Sequence, residues 1–112
     1  MDESILDTIK EMLGVDSEYD AFDTEIISYI NNAFFTLSQL GIGPDKGFFI
    51  FDNSAKWSDY VDSESNFKSI QTYIKIKVQL LFDPPSSSSV MEAFNKQLEE
   101  ITWRLLIETE VK

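Results

Sequence analysis

The junction Phe82-Asp83-Pro84-Pro85-Ser86-Ser87-Ser88-Ser89 constrains this chain more than any other stretch, because it ends one helix and starts another. Pro85 drives Pro84 out of the helical region and Pro84 does the same to Asp83. A helix arriving through Leu80, Leu81 and Phe82 therefore stops there, and the chain leaves extended. The serines offer several N-caps. Among them, Ser89-Val90-Met91-Glu92 fits the capping box, in which hydroxyl and carboxylate each satisfy an orphan amide, a cap worth about 1 kcal/mol. Taken alone, the octapeptide is an ordinary helix-helix corner.

The rest of the chain reads as helices around that corner. Ile5, Leu6, Ile9, Met12 and Leu13 recur at helical spacing and Gly14 can end them, which predicts a helix over 2–13. An acidic linker, 15–22, follows. Asp23 can cap a second helix over 23–40, with Ile26 placed for a staple to Phe22. Its stripe of Ile26, Ile30, Ala33, Leu37 and Leu40 is widened by Ile27, Phe34 and Phe35 into a face broad enough for a core and a partner together. Gly41 to Gly47 is a turn-rich loop. The segment 66–82 carries two signals. Tyr73 to Leu80 includes an alternation of apolar and polar residues, as in a strand, while Phe67, Ile70, Ile74, Val78 and Leu81 share one helical stripe. Its unbroken length decides for helix. The last helix, over 89–108, has Phe94, Leu98, Ile101 and Leu105 in register and Glu100 four residues before Arg104.

Between the second and third long segments lies an aromatic insertion, 47–62. Phe48 to Asp52 reads as a short strand or an extended arm, and the stretch to Asp62 carries Trp57 and Tyr60. Either these aromatics fold back as core, or Phe49, Phe51 and Trp57 present an adhesive surface. The expected architecture is mostly α: one small domain over 1–112 with about four helices and a short extended or β insertion.

Charge and missing residues narrow the function. The net charge is -11, and residues 1–64 hold all of the excess, 14 acids against three lysines. Between Ser65 and Phe82 there are three lysines, Lys68, Lys75 and Lys77, and no acid. A field of this sign repels phosphates, so sequence-specific DNA binding is not expected; the acids serve solubility or meet a basic surface, such as the Lys68/Lys75/Lys77 segment of an identical neighbour. Cysteine and histidine are absent, which removes disulfides, thiol nucleophiles and His-based triads and zinc sites. The longest apolar run, Phe48 to Phe51, is far below the roughly 18 residues of a membrane span, and the acidic N-terminus does not resemble a signal peptide, so a soluble intracellular product without membrane association is expected. Asp16-Ser17-Glu18-Tyr19-Asp20 begins like a calcium loop, but Ala21 stands where glycine is needed and Ile27 where the bidentate glutamate is needed. Gly41-Ile42-Gly43-Pro44 lacks the lysine and hydroxyl of a phosphate loop. No catalytic, cofactor-binding or metal residue is assigned, and neither enzymatic activity nor a cofactor is expected. Arg104, beside Trp103 on the last helix, either braces a backbone corner or a carboxylate such as Asp83, or lies on the surface beside Glu100.

Together these stretches carry a resemblance. Tyr29-Ile30-Asn31, Leu37 to Pro44, the insertion with Trp57, Tyr73 to Pro85 and Trp103-Arg104-Leu105 resemble the head-tail connector proteins of tailed bacteriophages and prophages of Gram-positive bacteria, over about Ile9 to Leu106. The Phe-Asp-Pro-Pro-Ser junction followed by Trp-Arg-Leu is the most specific part. The resemblance implies a structural, non-catalytic neck subunit, of a kind also labelled a DNA-packaging protein. Such a subunit assembles as a ring of about a dozen copies on the portal protein, even if it is a monomer in isolation, and gives the next neck or tail protein a docking surface. DNA passes through the ring without sequence-specific binding. It also implies a place in the virion neck, and in the host cytoplasm during assembly. Asp83, Pro84, Pro85, Trp103, Arg104, Phe49, Phe51 and Trp57 are the structural and interface candidates. From a different class, the charge alone also suits an acidic DNA mimic that blocks a host DNA-binding protein.

Overall fold

Four helices form where the local signals place them. The computed structural model describes residues 1–61 and 63–111, so Asp62, the end of the expected insertion, lies outside the described residues. The helices are α1 (Ile5–Met12), α2 (Asp23–Gln39), α3 (Glu64–Phe82) and α4 (Ser88–Val111), with one 3₁₀ turn at Trp57–Asp59. Ser4 caps α1: its Oγ accepts from the Asp7 amide at 3.2 Å, and Asp7 adds a negative charge to the first turn, where the helix dipole favours it. The end of α2 is fixed by Gly41 at φ +82°, with the Gly41 amide donating to Ser38 O and the Ile42 amide to Leu37 O. This pattern satisfies two carbonyls and folds Ile42 back onto Leu37, both in the core.

The ambiguous 66–82 segment is helical throughout, and α3 occupies the centre of the molecule, packed against α1, α2 and α4. Its alternating lysines fit a central helix because their ammonium groups lie near aromatic rings. Lys75 Nζ sits 5.4 Å from the Phe94 ring centre and Lys77 Nζ 5.8 Å from that of Tyr73. Ile74 and Val78 meanwhile reach the core that α1 and α2 complete with Ile5, Ile9, Ile26, Ile30 and Leu37.

The first helix starts at Ile5, after its Ser4 cap, and not at residue 2, and two helix caps differ from expectation. Asp23 does not cap α2; Phe22 occupies that position, and the Asp23 carboxylate turns to Lys10 instead. At the junction, the cap of α4 is Ser87 and not Ser89. The Met91 amide donates to Ser87 O at 3.0 Å and the Val90 amide to Ser87 Oγ at 3.4 Å, while Ser89 Oγ only shares a hydrogen bond with Ser87 Oγ. Once the chain has cleared Pro85, each further helical residue adds a backbone bond, so the helix starts at the earliest serine that can cap it. The proline stop works as expected: Asp83 closes α3 with φ -150°, and its amide donates to Gln79 O.

The insertion is not a β-strand: it runs irregularly through bends into the 3₁₀ turn at Trp57–Asp59. Among the described residues no strand forms, and the one bridge joins Ser4 to Lys56. At Ile50 the backbone's partner is a side chain: Asn31 of α2 donates from Nδ2 to Ile50 O at 2.9 Å and accepts from the Ile50 amide on Oδ1 at 2.8 Å. An asparagine amide presents the same donor and acceptor pair as a neighbouring strand, so Ile50 is satisfied without one, while Ala55, Trp57 and Ser58 pair with the backbone of residues 1–5.

Candidate assembly surface

The insertion separates its aromatics by period. Phe48 points inward and joins Phe34 and Tyr60 in a triad with ring centres 5.0, 4.6 and 5.2 Å apart. Ile50 is buried, and Trp57 is fully enclosed with its ring 5.8 Å from Phe67. Phe49 and Phe51, on the alternate positions, are 51% and 85% exposed. The insertion thus divides by residue: Trp57 serves the core, while Phe49 and Phe51 face outward. Beside them, Asp52 takes hydrogen bonds from the Ser54 hydroxyl and amide, which hold its carboxyl below the usual range.

At the other side of α3, α4 spans about 36 Å at 1.5 Å per residue, close to the 41 Å long axis of the molecule. Yet among its described side chains only Ile101 and Leu105 are buried. Trp103 is 63% exposed. Arg104 donates to Glu100 Oε1 at 2.9 Å in an exposed pair one helical turn apart, and does not brace Asp83. Between α3 and α4 runs an open groove of about 600 Å³, with Tyr73, Leu98 and Leu106 in its lining, Trp103 along it, and Lys77 and Glu99 as its charged groups. Asp83 and Pro84 are exposed and Pro85 is half-buried. The expected interface residues therefore fall on three places, the arm, the junction and α4, with Trp57 inside.

Two residues that position this surface were given no role from sequence. Among the described residues Lys10 is the only charged side chain that is buried; its Nζ donates to Ser17 O at 2.9 Å and lies 2.7 Å from Asp23 Oδ1. The directional bond goes to the carbonyl and Asp23 supplies the counter-charge. Together they tie the end of α1 to the acidic loop and to the start of α2. That loop in turn reaches the junction, because the Phe22 ring meets that of Phe82, the last residue of α3, at 5.3 Å. Asn31 is the second. The signal that could have found Lys10 is its place on the apolar face of α1, one residue after Ile9.

A smaller cleft of about 400 Å³ lies where Ile42, Gly43 and Pro44 approach Tyr60, Ile70 and Leu105. Burial, and secondarily the neighbouring Tyr73, pushes the Tyr60 hydroxyl up to about 12. Among the described residues it has no hydrogen-bond partner.

What this surface belongs to is decided by comparison, since residues 5–112 match the phage connector protein family. The chain belongs to that family. A connector role in a bacteriophage follows, and with it association with other head or tail proteins at the virion neck. No curated protein and no solved structure matches the chain. Among the described residues, no helix of this connector is long and apolar enough to cross a membrane.

Proposed function

We propose that this connector is a structural subunit of a ring that docks on the portal protein, extends the DNA channel toward the tail and offers the next neck or tail protein a docking surface. The observation that carries the reading is the family match over almost the whole chain. The surface supports it. Phe49, Phe51 and Trp103 are large apolar groups left to water, which an assembly part covers when it meets its neighbours. The acidic half, 14 acids against three lysines, one of them buried, suits a channel wall along which DNA slides without sticking. In this reading the chain does its work by shape and adhesion, with no catalysis, first in the host cytoplasm and then in the virion neck.

Light scattering of the chain alone and mixed with its portal tests the proposal. The expected result is a complex of several copies per portal assembly. Absence of association with the portal under all conditions of salt and concentration, with capture of a host nuclease or polymerase from lysate instead, would establish the DNA-mimic role and overturn this one.

A further inference from the structure

Two complementary features of the chain are left unpaired within it. One is the aromatic arm. Asn31 holds both backbone groups of Ile50, so Phe49 and Phe51 on either side are fixed outward, the latter 85% exposed. The other is the groove between α3 and α4, where Leu98 and Leu106 are only partly buried, the buried Tyr73 forms part of the lining, and Trp103, largely exposed, stands along the wall. No residue of segment 47–52 lines that groove, so a chain does not fill it with its own arm.

We propose that the arm of one copy docks into the α3/α4 groove of a second copy, Phe51 entering beside Leu98, Trp103 and Leu106. The inference rests on the connector-subunit reading and adds the surfaces through which copies meet. Three observations favour a second copy as occupant. Charge is the first. The arm, with Asp52 next to Phe51, belongs to the half with 14 acids and three lysines, whereas the groove is walled by α3 and α4 of the other half, residues 65–112, where six acids and six bases balance. Glu99 is the acid that lines the groove, and Lys77 lines it too. An arm-to-groove approach thus avoids setting two acidic halves face to face. Second, the arm is already ordered by Asn31, so docking costs little conformational entropy, which is what makes a small aromatic knob effective. Third, knob and groove are different patches of the same chain, and such a contact repeats head to tail and closes into a ring when the rotation allows.

The absence of cysteine gives a direct test. Asn53→Cys places a thiol just past the arm and Asn95→Cys places one at the groove, both at exposed positions that leave the knob intact. The two full-length variants are mixed and oxidised, alone and with the portal present. Disulfide-linked dimers are expected from the mixture and not from either variant alone, nor from Asn53→Cys mixed with Ser28→Cys. Adding Phe51→Ser to the Asn53→Cys chain should reduce the linked product by about tenfold or more, the loss of one buried phenyl group, with an unchanged thermal melt because Phe51 is exposed in the single chain. Linkage that survives Phe51→Ser, linkage equal to the Ser28→Cys control, or no linkage in either condition overturns the proposal. If copies still assemble on the portal without that linkage, the connector reading stands and this interface is wrong. Loss of portal capture in Trp103→Ser, with no arm-groove linkage, assigns the groove to the portal and also overturns it.

Discussion

Lys10 illustrates how one residue can organise the path of the chain around it. A fully enclosed ammonium is tolerable only with a counter-charge and a hydrogen bond, and Asp23 and Ser17 O provide these from two different elements. The two partners should respond unequally to substitution. Asp23→Ala leaves the buried ammonium with one carbonyl and should cost about 3 kcal/mol, the low end of the range for such breaks because the Asp23 side chain is 30% exposed and water can reach the gap. Lys10→Met conserves volume and leaves a carboxylate that water can solvate, so its cost should stay under about 1.5 kcal/mol. Urea denaturation of both variants measures the difference, and equal losses would contradict the assignment. Tyr60 gives a pH signature. Its folded value, about 12, lies above the ordinary tyrosine value of 10.0, so the unfolded chain loses that proton first. The contribution is complete below pH 10 and is lost as pH rises through about 12. Burial raises Tyr73 as well, so stability should fall above pH 10, and Tyr60→Phe should flatten that fall in part while leaving neutral-pH stability the same or higher, since it removes an unpartnered buried hydroxyl.

Among the elements, α4 is the one whose start and packing matter most to the proposed assembly. Because Ser87 and not Ser89 caps it, Ser87→Ala should destabilise the protein by about 0.5–1 kcal/mol and Ser89→Ala by a few tenths at most, as read from thermal or urea melts. The reverse order would return the cap to Ser89. The prolines act on the same element from outside it. Replacing both Pro84 and Pro85 by alanine frees Asp83 and Pro84 to become helical, so α3 can run on and the angle to α4 is no longer fixed. Each change should cost about 0.4–1 kcal/mol through the unfolded state, while portal-dependent assembly seen by light scattering falls by about tenfold or more. An assembly-competent double variant of unchanged stability would remove the junction from the assembly argument.

Over the whole molecule, a flat body of 41 × 36 × 21 Å carries all its excess charge on one half of the sequence. Subunits of net charge -11 repel one another at long range, so collecting many of them in a ring works against their own field. Apolar contacts through Phe51 or Trp103 are not weakened by salt. Raising ionic strength from about 0.1 to about 1 M shortens the screening length from about 10 to about 3 Å, so self-association should strengthen with salt, as sedimentation at several salt concentrations can show. A fall with salt would mean that ion pairs, not apolar contacts, hold the copies together.

What the sequence determined by itself was whatever is decided within one or two helical turns. The stop at Asp83-Pro84-Pro85, the glycine end of α2 and the helical stripes are local steric and hydrogen-bonding events, so four helices were legible and fell close to their expected bounds. Even the lysine-rich alternation of α3 yielded to its length. The exposed aromatics and the acidic excess were visible as composition, but not their placement. Only the tertiary structure decided that Lys10 is inside, that Asp23 serves it instead of a helix cap, and that Asn31 stands in for a strand against Ile50. Only there do Phe49 and Phe51 part from Phe48 and Trp57, and only there is Trp103 left largely in water. Each of these depends on which distant segments meet, Asn31 and Ile50 being 19 residues apart. A side chain's environment is set by those neighbours, and periodicity along the chain does not encode them.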